Sequence, residues 1–305
     1  MQRYILKRLL QSIVSLVAIT IIVFMLVHLS GDPAVLMAPP DATQGDIQQM
    51  RKAMGLTEPL YVQYGVFLAN IVKGKFGSSF KWDKPCLEIW FDRFPNTLVL
   101  AVTAMAFTLF IGLPVGILSA VKVESWFDRF GKIFALMGQS LPVFWVGLML
   151  MLIFSVTLGW LPTSGRGGIS HLVMPAITLG WYFTAAICRL TRSSMLDVLD
   201  RDYIKMARIK GVSKYGVVLK HAFKNASIPI LTLGTLNFVL MLNGTVITET
   251  VFNWPGIGRL VVEAIFSRDF PLVQACVLIG SFFFIFANLL VDVLYAYIDP
   301  RIVYE

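Results

Sequence analysis

Six continuously apolar windows dominate this sequence: Leu9 to Leu29, Thr97 to Val121, Ile133 to Leu158, Leu172 to Leu190, Ile228 to Val251 and Leu272 to Ile298. The hydrocarbon core of a bilayer takes roughly 20 apolar residues as a helix. Backbone polar groups entering that core must be satisfied internally, so only helices and closed barrels cross it. A barrel needs strands of about ten residues with alternating polarity, and these windows do not alternate. With 57% hydrophobic and 14% charged residues, the chain is far too apolar for a soluble domain. The expectation is an all-α polytopic membrane protein of about six transmembrane helices, one domain over 1–305. Its spans are 9–29, 97–121, 133–158, 172–190, 228–251 and 272–298, with an external insertion at 30–95 and an internal loop at 191–227.

Orientation follows from the basic residues of the short loops. An N-terminus in the cytoplasm places 16 of the 26 Lys and Arg inside and ten outside, seven of those ten in one long loop where the rule has little force. Both termini are therefore expected in the cytoplasm. Arg3, Lys7 and Arg8 before an apolar run resemble a secretory signal, but the run is long and leads into HLSGDP rather than small residues. It reads as a retained span.

One stretch departs from the apolar pattern. Arg189 to Asn225 carries nine Lys/Arg against three Asp/Glu, and so holds +6 of the formal net charge of +8. Asp202 to Lys210 is expected to be helical, with Tyr203, Met206, Ala207 and Lys210 along one stripe and Gly211 ending it. Ala207 and Gly211, four apart, would let another surface approach the backbone. A second helical stretch, Lys214 to Asn225, leads through Pro229 into the fifth span. A short helix across two span ends suits a mechanical coupler, while positive charge alone also fixes topology and attracts anionic lipid.

The outer loop has its own periodicity. Ile47, Met50 and Met54, then Leu60, Tyr64, Phe67, Leu68 and Ile71, recur at helical spacing and stop at Gly55 and Gly74. Two short helices are expected, their apolar faces packing on the spans, lying in the lipid interface or receiving a partner. Gly112, Pro114, Gly116, Pro142 and Pro175 are expected to kink spans for packing or to serve as hinges. Among sparse intramembrane polar residues, Gln139, Asn237, Asn243 and Glu249 are pathway candidates, and Asp292 is placed to pair with a basic residue such as Arg8. The three cysteines read as packing residues, and no Cys/His cluster suggests a metal.

The chain has no GxxxxGK[ST], HExxH or GxSxG, so neither a phosphate loop nor a hydrolase signature accompanies the spans. Energy must come from a partner or an ion gradient. An ion-coupled secondary transporter would show inverted repeats and midplane ligands, and neither is evident.

MARIKG followed by LKHAFKNASIP resembles the conserved cytoplasmic loop, the EAA loop, of permease subunits in bacterial ATP-binding-cassette importers. The resemblance extends over nearly the whole chain through RYILKRLL, VHLSGDPA, MGLTEPLYVQY, GKFGSSF, FSVTLGWLPTSG, ETVFNWPGIGRL and DFPLVQA. More specifically, it is similar to the first permease subunit of the dipeptide, oligopeptide, glutathione and nickel group. Lys205 stands where the general loop has Glu, and Phe223 and Lys224 replace its Leu-Pro.

That resemblance implies a type I importer permease fold in the bacterial inner membrane, with 30–95 periplasmic. It implies a second homologous permease, two ATPase subunits and a periplasmic solute-binding protein as partners. The subunit would be no enzyme, with no cofactor of its own and with ATP and Mg in the ATPases. Asp202, Tyr203, Lys205, Met206, Ala207, Arg208, Lys210 and Gly211 would form the ATPase-coupling element. Asn253, Trp254, Pro255, Gly256 and Gly258 would form an outer gate or binding-protein contact, where Trp254 also suits a lipid interface. Short peptides or peptide-like solutes are the expected cargo; nickel chelates, glutathione, opines and sugars share the pattern.

Overall fold

The structure, a computed structural model, describes residues 2–29, 34–35, 42–53, 55–243 and 245–298, with the side chains of 2–5, 27, 243 and 293–298 outside the description. Met54, the side chain of Asn243 and the tail bearing Arg301 thus lie outside the described residues. Five described helices are long and apolar enough to cross a membrane, and a bent pair makes a sixth crossing if its halves act as one span. The chain divides into two compact units, one drawn from Met1–Pro95 and Leu260–Glu305, the other from Asn96–Arg259.

The first unit contains α1 (Gln2–Leu29), α2 (Gln44–Ala53), α3 (Leu60–Val72) and α12 (Phe270–Ile298). It also holds the start of α4 (Cys86–Val121) and the end of α11 (Ile257–Phe266). α1 packs along α12, and Arg8 Nε meets Asp292 Oδ2 at 3.3 Å, the pairing expected above. α2 starts on a reciprocal cap, with Thr43 N–H donating to Asp46 Oδ2 and Asp46 N–H to Thr43 Oγ1; the Thr43 bonds hold the exposed Asp46 carboxyl below its usual value. α3 packs on α1: Tyr64 and Phe67 rings sit 5.4 and 5.5 Å from Phe24, and His28 bridges the Phe24 carbonyl and the Gln63 side chain. The apolar face of α3 therefore serves packing.

Two of the distant sequence blocks converge in this unit. Asp269, fully buried, accepts from Ser79 Oγ at 2.5 Å, from Lys81 N–H at 3.3 Å and, on its other oxygen, from Leu272 N–H at 3.3 Å. In the same unit Trp90 stacks on Phe94 and on Phe283, each 5.0 Å away, and those two rings lie 5.1 Å apart.

The second unit contains the rest of α4, α5 (Trp126–Ser140), α6 (Val143–Leu150, continued as π-helix over Met151–Thr157) and α7 (Ile169–Leu199). α8 (Asp202–Ile209) follows, then π-helical Gly216–Phe223 running into α9 (Lys224–Asn243), and α10 (Val246–Val251). α7 is the central element, contacted by α5, α6 and α9. Small residues permit that closeness, as in other membrane helices: a Cβ on Gly180 would lie 2.9 Å from the Ala104 carbonyl oxygen, one on Gly116 2.6 Å from Thr191 Cβ, and one on Gly138 would overlap Ala185.

Two expected spans take a different form. Instead of one kinked helix over 133–158, α5 and α6 are separate and bent by 106°. Leu141, preceding a proline, is sterically driven out of helical conformation and adopts φ −89°, ψ 128°, and Pro142 follows at ψ 136°. The fifth span runs Gly216–Leu242 rather than 228–251, because the stretch expected as a separate loop helix is continuous with it and buries Val217, Ala222 and Ala226. Pro175 and Pro229 both sit inside continuing helices.

Gly180→Val should therefore overpack the α4–α7 contact and cost about 1–3 kcal/mol, read as a lower unfolding temperature of the purified protein. Gly234→Ala in α9, where an added Cβ meets nothing within 4 Å, should leave that temperature unchanged or raised.

Candidate functional site

The basic segment folds as a short helix between two long ones. α8 begins after extended Arg201 (ψ 147°) and carries Asp202 in its first turn, where a carboxylate complements the helix dipole. It ends on Gly211 at φ +76°, with Gly211 N–H donating to the Arg208 carbonyl and Val212 N–H to the Ala207 carbonyl. That bond pair, with a left-handed glycine, is a Schellman stop.

The helix has two faces. Ile204 and Ala207 point inward, 0% and 8% exposed, into a cluster with Ala120, Met195, Val217, Ala222 and Ala226. Tyr203, Met206 and Ile209 point outward, 45%, 55% and 79% exposed. Asp202, Lys205, Arg208 and Lys210 are also exposed, and Lys205 Nζ lies 3.2 Å from Asp202. The expected stripe is corrected in two ways. Ala207 belongs to the inner face, since its apolar partner three residues back is Ile204. Gly211 ends the helix as expected, but with Ala207 turned inward the two do not form a shared open face, and Ile209 takes the vacated place on the outer face.

The segment's roots are set by a residue the sequence reading missed. Asp128, in the first turn of α5, is fully buried and surrounded by donors. Arg192 of α7 grips it with two prongs, Nε to Oδ1 at 2.7 Å and Nη2 to Oδ2 at 3.1 Å. Ser119 Oγ of α4 donates to Oδ1 at 2.7 Å, Glu124 N–H to Oδ2 at 3.0 Å, and Lys132 Nζ lies 3.0 Å from Oδ2. One of the nine basic residues is therefore committed to holding helices together. The signal available was an acid at helical spacing, four before Lys132, in a short loop that also holds Lys122, Glu124 and Arg129.

The loop 249–259 is built around a second buried carboxylate. Glu249, fully buried, accepts from Thr97 Oγ1 at 2.7 Å on one oxygen and from Arg259 N–H at 3.0 Å on the other. Thr97 Oγ1 in turn accepts from Ile257 N–H at 2.8 Å. Asn96 Nδ2 donates to the Pro255 carbonyl, and Trp254 Nε1 donates to the Asn96 carbonyl at 3.0 Å. Gly256 passes so close that a Cβ there would overlap the Glu249 carboxylate, and one on Gly258 would lie 2.6 Å from Val246 Cα.

Trp254 is thus no interfacial anchor. It is 2% exposed and packs with Leu100, Ala101, Ala104, Ala176, Leu179 and Met241. The reason is its indole N–H, which finds the Asn96 carbonyl while the ring fills an apolar site. Asn253, at φ 52°, is exposed and Pro255 partly so, whereas Gly256 and Gly258 are buried.

The pathway candidates separate. Glu249 organises the loop rather than lining an opening. Gln139 is exposed and accepts from Arg189 Nη1 at 2.7 Å. Asn237 is buried, and its Nδ2 has no partner among the described residues; Asn243 closes α9 with its side chain outside the description. All three cysteines are buried and unbridged.

Apolar spans of this number, joined by a short amphipathic helix seated on a buried apolar cluster, are those of a polytopic helical membrane protein. Residues 112–304 match the family described as the binding-protein-dependent transport system inner membrane component, and residues 1–101 match its membrane component N-terminal family. The chain belongs to this family of ABC importer permeases. It is 45% identical over 306 residues to the glutathione transport system permease protein GsiC of Salmonella paratyphi A and 44% identical to GsiC of Escherichia coli K12, covering all of both chains in each case. Among solved structures it resembles the inward-facing MetNI methionine ABC transporter, with TM-score 0.57 and 16% identity over 70% of this chain and 97% of the other. An amino acid ABC transporter structure follows at TM-score 0.56 and 14% identity, over 69% and 94%.

The protein is accordingly an inner-membrane permease subunit of an ABC importer, a class that works with ATPase subunits and a binding protein. An ion-coupled secondary transporter is set aside by this membership.

Because Trp254 is a core residue, Trp254→Ala should cost about 3–5 kcal/mol, seen as a large fall in unfolding temperature. Trp254→Phe keeps most of the packing and gives up the indole bond, so it should cost about 1 kcal/mol.

Proposed function

We propose that this subunit forms half of the translocation pathway for short peptides or peptide-like solutes, pairs with a second homologous permease, and receives the thrust of its ATPases on α8. The observation that carries the reading is the outward row Tyr203, Met206 and Ile209, an apolar strip on a helix flanked by exposed charges. A strip of that kind in water needs a partner. The inward row, Ile204 and Ala207, seats the same helix on the permease, so a push on one face reaches the other. In this reading ATP and Mg are bound by the partner subunits, and both ends of the chain and 191–227 face the cytoplasm. The insertion 30–95 then lies in the periplasm, where Asn253 and Pro255 are the accessible members of the loop offered to the binding protein. Full-length similarity to glutathione permeases makes glutathione the first solute to test, with dipeptides as competitors.

Met206→Asp with Ile209→Asp leaves the inner face intact and places two charges in the docking strip. ATPase copurification and uptake should both fall at least about tenfold, the effect of losing 1.4 kcal/mol or more, while the unfolding temperature of the permease itself is retained. Normal copurification of the double variant would sink the docking assignment. Radiolabelled glutathione uptake in membrane vesicles, competed by dipeptides, separates the two solute classes.

A further inference from the structure

We infer that Asp128 is a positioning residue for transport: its grip on Arg192 makes α5 move with α7, so that displacement of α8 reaches the break at Pro142. The inference rests on α8 as the docking element.

The chain of rigid parts can be followed residue by residue. α7 continues unbroken from Arg192 to Leu199, and only Asp200 and Arg201 separate it from α8. α5 continues unbroken from Asp128 to Ser140 and ends at the Leu141–Pro142 break, beyond which α6 departs at 106°. The contacts between the two helices include Asp128 with Arg192, Gln139 with Arg189, Gly138 against Ala185, and the Phe134 ring edge-on to Trp181 at 5.2 Å. The second is exposed, and the third and fourth are uncharged packing contacts. Only the first is buried, charged and two-pronged, so only it fixes the rotation of one helix against the other.

A carboxylate is a costly choice for mere packing, because apolar residues of similar volume generally stabilise a buried site as well or better. What the ion pair adds is geometry. Asp128 also collects Ser119 of α4 and the Glu124 backbone, so the ends of α4, α5 and α7 are held at a single carboxylate. Coupling between sites requires an element both of them bias, and the α5–α7 pair supplies one between the docking helix and the bend.

The test uses the full complex of permeases, ATPases and binding protein in proteoliposomes, with all three native cysteines of this chain replaced. Spin labels are placed at Tyr215, exposed just beyond α8, and at Phe144, exposed just beyond the bend. Comparing nucleotide-free with ATP–vanadate-trapped complex, both labels should change line shape with native Asp128. Asp128→Asn should keep the change at 215 and lose it at 144. Arg192→Lys, which retains the charge without the fork, should reduce the change at 144, and it carries the test if Asp128→Asn does not assemble. Persistence of the full change at 144 in an assembled variant of either kind overturns the inference while leaving α8 docking intact. Absence of any change at 215 with native Asp128 overturns the docking reading, and the inference with it.

Discussion

The ion pair between Asp128 and Arg192 is the constraint from which the second unit is built. A charge buried without partners would be prohibitive, so the fold places around Asp128 a guanidinium, an ammonium, a hydroxyl and a backbone N–H. Each donor comes from a fixed point on α4, the following turn, α5 or α7. Satisfying one carboxylate thereby sets the mutual placement of three helix ends. The small-residue contacts at Gly116, Gly131 and Gly138 then become sterically possible, and they add close packing to a geometry the charge has already chosen.

The same device recurs. Glu249 and Asp269 are also fully buried, and each joins segments far apart in sequence. Glu249 ties Thr97 to the backbone at Arg259 across about 150 residues of chain, and Asp269 ties Ser79 to the start of α12. In lipid the hydrophobic effect does not distinguish one apolar helix face from another, and polar contacts acquire the role of specifying which segments meet. The three carboxylates mark those meeting points, while uniformly apolar faces supply the rest of the surface.

Much of this was legible in the sequence. Long apolar runs announce spans because the bilayer demands them, and the heptad-like spacing of Leu60, Tyr64, Phe67 and Ile71 announces α3 because that spacing makes one face. Partners were not legible. Counting only Lys and Arg in the 122–132 loop passed over Asp128, whose burial makes it the loop's most consequential residue. Trp254 looked like an interface aromatic since Trp is common there; that a backbone carbonyl at Asn96 waits for its indole depends on a helix 158 residues away in sequence. Within α8 the helix itself was clear, yet its rotation was misjudged by one position, because a short helix with Tyr203, Met206, Ala207 and Ile209 offers two competing apolar stripes. Only the cluster beneath, with Met195 and Val217, decides between them.

How α8 is held differs from how α5 and α7 are held, and the difference bears on mechanism. Beneath α8 are methyl and methylene groups, which attract without preferring a direction and tolerate sliding. Around Asp128 are short, charge-assisted bonds, which weaken steeply with misalignment. A helix on an apolar seat can shift with a docked partner, and helices joined by a directional clamp shift together or not at all. Under the proposed docking of α8, motion entering at Tyr203, Met206 and Ile209 would be softest at its point of input and stiffest one step inward. The next soft element is the extended backbone at Leu141 and Pro142, where proline has ended the helical continuation. An importer permease needs this alternation, since a transition between two packed states requires rigid parts that turn and defined places where they are free to turn.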